Sequence, residues 1–255
     1  MSDMTPVRRV QRVRHEIHRR ELTVTDVQRR DGRFVVVTLQ GDSLKSFVSS
    51  SFDDHVKLVL PHPDPGASGP LMRDYTPRAF DTQCGELVLE FALHGSGPFS
   101  TWAAQAAPGQ TLTVAGPRGS MVIPTDYAWH WLVGDDTAWP AIARRLEELP
   151  ADARVSLWLL MDDAPTLPAR RPTSLDLHVL STPAALLQAL RGVSLPEGEG
   201  YVWCAGEAQA MTQLRELMLR DKGHPKEALK VAAYWKQGAE GFHARLDEEA
   251  PAQAD

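Results

Sequence analysis

Arg73-Asp74-Tyr75-Thr76-Pro77-Arg78 puts two guanidiniums, a phenol and a hydroxyl into six residues, between a Pro/Gly-rich loop (61–70) and another apolar strand. An arginine can hold a phosphate oxygen in a fork, and a tyrosine can pack flat on a flavin or ribityl chain. A threonine hydroxyl can donate toward a flavin ring nitrogen. The same six residues would also serve as a turn with a surface ion pair, Pro77 setting the backbone angle. The hexapeptide alone leaves both readings open, and its surroundings separate them.

Outward from it, the first half of the chain reads as short β runs. Strands are predicted over residues 22–27, 34–39, 55–60, 87–93 and 111–115, with turn signals at Arg30-Asp31-Gly32 and Pro108-Gly109-Gln110. Leu87, Leu89, Phe91 and Leu93 share one face of their strand. Five or six such strands with Gly/Pro turns indicate a small antiparallel barrel. The Arg-rich residues 1–20 read as an arm leading into the first strand. One helix interrupts the region: residues 100–107 place Trp102, Ala103 and Ala106 at helical spacing and stop at Pro108-Gly109. Its entry, Gly95-Ser96-Gly97-Pro98-Phe99-Ser100-Thr101, would expose backbone N–H groups to an anion. A plainly capped helix start needs the same residues.

Beyond Gly116-Pro117-Arg118-Gly119-Ser120 the pattern changes. Apolar strands (129–133, 155–161, 175–180, 201–205, 230–235) alternate with amphipathic helices (137–149, 183–191, 207–220). Near-continuous apolar strands separated by helices indicate a parallel sheet covered on both faces. The fold class is therefore β-barrel plus α/β, with two domains expected at 6–122 and 123–245. Ligands of an open parallel sheet lie beyond the C-terminal ends of its strands. Three segments fall there: Gly134-Asp135-Asp136-Thr137, Cys204-Ala205-Gly206-Glu207, and Tyr234-Trp235-Lys236-Gln237-Gly238. The first lacks the G-x-G-x-x-G fingerprint, although Thr137 could offer a hydroxyl to a pyrophosphate, and the two aspartates could simply cap. Cys204 could be an inert core thiol, and Trp235 could be core while Lys236 is solvated.

The totals narrow the function classes. The 255 residues carry 27 Lys plus Arg against 33 Asp plus Glu, a net charge of −6, which argues against nucleic acid as the main partner. Cys84 and Cys204 are the only cysteines, too few for a disulfide framework, an iron–sulfur cluster or a zinc–thiolate site. No apolar run approaches membrane-spanning length and no signal-peptide core precedes the arm, so no membrane insertion is expected and the cytoplasm is the expected location.

Taken in order, these segments resemble the siderophore-interacting protein family of ferric-siderophore reductases, within the ferredoxin-NADP reductase-like superfamily. The pieces that carry the resemblance are Asp54-His55-Val56-Lys57-Leu58, the hexapeptide, Phe91-Ala92-Leu93-His94-Gly95 through Gly97-Pro98 and Trp102-Ala103, and Gly116 to Ser120. Gly134 to Ala138 with Pro140-Ala141-Ile142, Ala205-Gly206-Glu207, and Tyr234 to Gly238 complete the set. The resemblance implies a six-stranded antiparallel FAD-binding barrel followed by a parallel-sheet nicotinamide-nucleotide domain, with FAD between them and NAD(P)H as hydride donor. It implies that Arg73 neutralises the FAD phosphates, with Asp74 beside it, that Tyr75 lines the flavin, and that Thr76 lies near the reactive ring nitrogen. It assigns His94, Gly97, Ser100, Thr101 and Trp102 to the rest of FAD. Thr137, Cys204 and Glu207 would form the nicotinamide side, bordered by Tyr234 and Trp235. Phe99 and Trp139 depart from the smaller or aliphatic residues of the family pattern.

The implied reaction passes electrons to iron(III) held in a siderophore and frees iron(II), with no protein ligand to the metal needed. Ferric siderophores are often anionic, which makes Lys57, Arg78 and Lys236 the candidate substrate cations, Lys236 also at the catalytic edge with Thr76. Alternatives are a general NAD(P)H:flavin reductase, a reductase served by a separate ferredoxin, or a non-catalytic siderophore-binding module. Asp162-Asp163 would suit coenzyme ribose hydroxyls, whereas Arg170 and Arg171 nearby would favour a 2′-phosphate.

Overall fold

The structure, a computed structural model, describes residues 9–64, 66, 69–93, 97–239 and 244–245. Its first half runs β1 (Gln11–Arg14), β2 (Arg19–Arg30), β3 (Phe34–Gln40), β4 (Val56–Leu60), β5 (Leu71–Tyr75), β6 (Pro77–Asp81), β7 (Glu86–Ala92), α1 (Pro98–Ala104), β8 (Thr111–Ala115) and β9 (Gly119–Val122). Seven of these strands form one antiparallel sheet in the order β5-β4-β8-β2-β3-β7-β6. Its two edge strands, β5 and β6, are consecutive in the chain and separated only by Thr76. Edges joined by one residue must converge, so the sheet curls into a barrel that closes at the hexapeptide. The count is seven rather than six because the hexapeptide is the end of one strand and the start of another, not a turn. β1 pairs separately with β9, so part of the expected arm is strand.

Alternation in β2, β3 and β7 turns Leu22, Val24, Val35, Val37, Leu39, Leu87, Leu89 and Phe91 into a closed apolar core. Phe99 and Ala103 plug it from α1. The departure at Phe99 is thus filled by the barrel interior, where the ring lies 6.0 Å from Tyr75.

The second half runs β10 (Trp129–Asp135), α2 (Trp139–Glu148), β11 (Arg154–Leu160), β12 (Ser174–Leu180), α3 (Pro183–Gly192), β13 (Gly200–Glu207), α4 (Ala208–Glu216), β14 (Leu229–Trp235) and β15 (Ala244–Arg245). The sheet order is β12-β11-β10-β13-β14-β15, parallel except for the antiparallel β15. Every residue of β10 is buried, as expected of a strand covered on both faces. One face packs on α2, with Trp139, Ile142 and Leu146 meeting Leu132, Leu157 and Trp203. The other packs on α3 and α4, with Leu186, Leu190, Met211 and Leu214 meeting Trp131, Val133 and Cys204. Among the described residues no helix is long and apolar enough to cross a membrane.

Polar bonds join the two halves. Arg144 of α2 donates to Ser49 Oγ (2.8 Å), to Ser49 O (3.1 Å) and to Pro77 O (2.9 Å). Arg78 of β6 forms a forked pair with Glu147 of α2 at 2.6 and 2.9 Å. Asp53 accepts from the Trp203 indole at 2.9 Å and pairs with the buried Lys230. These contacts hold the barrel edge against α2, and the cleft between them is the site.

Candidate functional site

A cavity of about 410 Å³ opens between the barrel edge and the C-terminal ends of the parallel strands. That volume is in the usual range of small-molecule sites, about 300–1,000 Å³. Its barrel wall comes from His55 and Lys57, from Met72 to Thr76, and from Glu90 and Ala92 of β7. Its opposite wall comes from Thr137 and Pro140 at the start of α2 and from Tyr234 and Trp235 at the end of β14. Eight residues chosen from the sequence therefore meet here: Lys57, Arg73, Asp74, Tyr75, Thr76, Thr137, Tyr234 and Trp235.

The barrel wall is set by strand register. Lys57 lies opposite Asp74 in the β4–β5 ladder, and its Nζ bonds both carboxylate oxygens at 2.8 and 3.0 Å. Tyr75 lies over Phe91, ring centroids 4.6 Å apart, so its ring is fixed by the barrel core below. Burial pushes the Tyr75 hydroxyl far above its usual range, against the pull of Arg73, and the phenol stays neutral. Thr76 is 8 % exposed at the seam of the barrel.

The sheet wall is organised by Asp135. Its Oδ1 accepts the Thr137 N–H (2.9 Å) and hydroxyl (2.5 Å), and its Oδ2 accepts the Glu207 N–H (3.1 Å) and the Trp235 indole N–H (2.8 Å). This pulls residues 136–138 into a turn and delays α2 to Trp139, two residues later than the sequence periodicity predicts. Glu207 caps α4 by accepting from Gln209 N (2.7 Å) and Ala210 N (3.1 Å). It thus supports the wall and does not itself line the cavity.

Other predicted residues lie elsewhere. Arg78 is consumed by Glu147 and lies 3.5 Å from Glu90, so its charge is spent inside the protein and not on the cavity. Cys204 alternates with Trp203 and Ala205, which face α2, and so faces α4 in an apolar layer. Burial raises that thiol well above its ordinary value, and it is not at the cleft. Trp102 packs on Phe91 at 5.6 Å, while Gly97, Ser100 and Thr101 start α1 without lining the cavity. Lys236 follows Trp235, exposed, in a bridge with Ala239. His94 lies outside the described residues.

Glu90 and Asp135 were not singled out from sequence. Glu90 is an outward position of β7, where alternation reads as solvent, but α2 covers that face. Its side chain is fully buried, and neither carboxylate oxygen has a hydrogen bond; Arg78 and Arg30 stand at 3.5 and 3.7 Å. Burial raises its pKa, opposed by Arg78 and Arg30.

The residues present fit a flavin dinucleotide. Aromatic rings of Tyr75, Tyr234 and Trp235 offer flat surfaces from both walls, Arg73 brings a forked cation, and Thr76 brings a hydroxyl at the seam.

Known proteins bear on the same regions. Residues 64–121 match the siderophore-interacting FAD-binding domain, and residues 127–238 match the siderophore-interacting protein family. An NADPH-dependent ferric-chelate reductase of Escherichia coli (strain K12) is 36% identical over 245 residues, covering 88% of this chain and 96% of that protein. Ferric vibriobactin reductase ViuB of Vibrio cholerae is 27% identical, covering 84% of this chain and 90% of that one. The crystal structure of a siderophore utilization protein from T. fusca superposes with a TM-score of 0.83 at 33% identity, over 91% of this chain and 98% of that chain.

Proposed function

The chain belongs to the siderophore-interacting protein family, and from that premise we propose that it is an FAD-dependent ferric-siderophore reductase using NADPH as hydride donor. One observation carries the reading: the barrel's Arg73–Thr76 segment faces Thr137, Tyr234 and Trp235 of the sheet across a single cavity. A bound flavin supplies acceptance of a hydride and release of electrons one at a time.

The chain's own residues bind and orient. Arg73 would hold the pyrophosphate, Tyr75 would back the ring system from the barrel side, and Thr76 would offer it a hydroxyl at the seam. Gly97, Ser100 and Thr101 lie at the start of α1, which Phe99 anchors beside Tyr75, and would hold the part of the dinucleotide that extends beyond the cavity. Trp235 and Tyr234, on the opposite wall, would cover the other side of the ring system. The division of labour follows the two halves of the chain, 6–122 for FAD and 123–245 for the coenzyme.

The iron complex approaches the open edge of the cavity, where Lys57 and Lys236 attract its anionic ligands. Lys57 is half exposed and held by Asp74, so it presents an oriented rather than a freely moving cation. Reduction weakens the hold of hard oxygen ligands, and iron leaves as iron(II) in the cytoplasm. Anaerobic assay of a ferric siderophore panel with NADH and NADPH, trapping iron(II) with a chromogenic chelator, tests this. Ferrous iron formed with NADPH supports it; flavin bleaching with no ferrous iron from any siderophore overturns it in favour of a general flavin reductase.

A further inference from the structure

The parallel sheet has a second cavity at its other end, which the function proposed above does not use. It holds about 330 Å³ at the N-terminal ends of β10, β13 and β14. The length of β10 puts it about 20 Å from the flavin cavity. Glycine shapes it: a Cβ at Gly200 would lie 1.9 Å from the Trp129 ring, whose indole N–H is held by Gly198 O at 3.1 Å. His224 and Tyr127 line the cavity and are 4% and 6% exposed. His224 Nε2 meets the Ala228 carbonyl at 3.0 Å, and only an N–H can bond a carbonyl, so Nδ1 is the bare nitrogen and an acceptor. Burial lowers the His224 pKa, against the pull of that bond, which keeps the ring neutral. Among the described residues no donor reaches Nδ1, and the Tyr127 hydroxyl has no partner either. Neither atom is sealed in the interior, so both open on the cavity. Buried polar atoms are nearly always bonded, and these two must find their partners there.

We propose that this cavity binds a small aromatic cation of the amidine class, its N–H groups on His224 Nδ1 and the Tyr127 oxygen and its charge beside Glu227. The lining sets that chemistry. Leu195, Pro196 and Pro225 give an apolar slot for a ring. Glu199 and Glu227 bring two carboxylates to the lining. Its cation, Arg9, is already spent: it donates to Glu199 at 2.7 Å and to Asp126, and lies over the Tyr127 ring. What is left to a ligand is therefore acceptors and negative charge, which favour a donor-rich cation and repel an anion.

The test is calorimetric titration of the full chain with benzamidine, and with benzoate as its anionic counterpart of the same shape. Benzamidine should bind with a dissociation constant of about 0.1–1 mM, in keeping with so small a ligand, and benzoate should not bind. Tyr127→Phe removes one acceptor and should weaken benzamidine about fivefold. Glu227→Gln removes an exposed rim charge and should weaken it about two- to fivefold. Neither substitution breaks a hydrogen bond within the described protein, so both variants should fold. Saturating NADP⁺ should leave the benzamidine affinity unchanged, because the two cavities lie at opposite ends of the sheet. Benzoate binding as tightly as benzamidine, benzamidine binding that both variants leave intact, or displacement of benzamidine by NADP⁺ overturns the proposal. A full chain that binds no benzamidine also overturns it, the result expected if residues 1–8, which lead into Arg9, fill the cavity themselves.

Discussion

Replacing Arg78 with methionine separates a structural cation from a substrate cation. The Arg78 side chain is 10% exposed and grips Glu147, 35% exposed, through a fork of 2.6 and 2.9 Å, with the fully buried Glu90 at 3.5 Å. Methionine fills a similar volume but leaves two carboxylates without their shared cation. Breaking a buried pair costs about 3–5 kcal/mol, and the partial exposure of Glu147 screens some of that, so about 2–4 kcal/mol is expected. The loss should also depend on pH. Burial already raises the Glu90 pKa, so its contribution to stability is full below its ordinary value of 4.5 and is lost as pH rises through the folded value. Removing Arg78 lifts the folded value further, so the destabilisation should be larger at pH 8 than at pH 5. Adding Glu90→Gln to Arg78→Met should recover part of it at pH 8. Urea unfolding of single and double variants at both pH values measures this, alongside KM for an anionic ferric chelate. The KM should stay within about twofold of wild type, since the charge does not reach the cavity. A KM raised tenfold with unchanged unfolding would refute the structural role and return Arg78 to the substrate.

Three further outcomes follow from other parts of the chain. Lys236→Ala should raise KM for an anionic ferric siderophore by about two- to fivefold, with NADPH oxidation by ferricyanide less affected; equal effects on both would remove Lys236 from the substrate side. His130 is 1% exposed, and burial together with Arg145 depresses its pKa to about 4. It stays neutral in the fold while the unfolded chain takes a proton near 6.5, so stability should fall as pH drops between those values, by on the order of 3 kcal/mol. A His130→Gln variant with the same pH slope would contradict this. Gly200→Ala would place a Cβ 1.9 Å from the buried Trp129 ring at the start of β13, and urea titration should show a loss of about 1–3 kcal/mol.

Much of the architecture is visible in local pattern because burial imposes a period on each strand. Leu87, Leu89 and Phe91 alternate, while Trp131, Leu132 and Val133 run apolar without a break in β10, which separates a barrel from a covered parallel sheet before any contact is known. What local pattern does not contain is pairing across distance. That β5 and β6 form the two edges of one sheet, and that β1 pairs with β9, depends on ladders between segments far apart in sequence. The same reason divides the site residues. Arg73, Tyr75 and Thr76 reach the cavity together because they are contiguous on a seam. Arg78, two residues on, is captured by Glu147 on a helix 69 residues away. Cys204 failed on parity alone: its neighbours face α2, so it must face α4. Asp135 looked like a helix cap, and only the folded arrangement brings Glu207 and Trp235 to the same carboxylate.

The account turns on a flavin held between barrel and sheet, and equilibrium titration of the apoprotein with FAD tests that most directly. Flavin fluorescence should report one FAD bound per chain, with Arg73→Met weakening binding by about tenfold or more through loss of a charge-assisted bond. A protein that takes up no FAD, or an Arg73→Met variant that binds it as tightly as wild type, would contradict the assignment of this cleft.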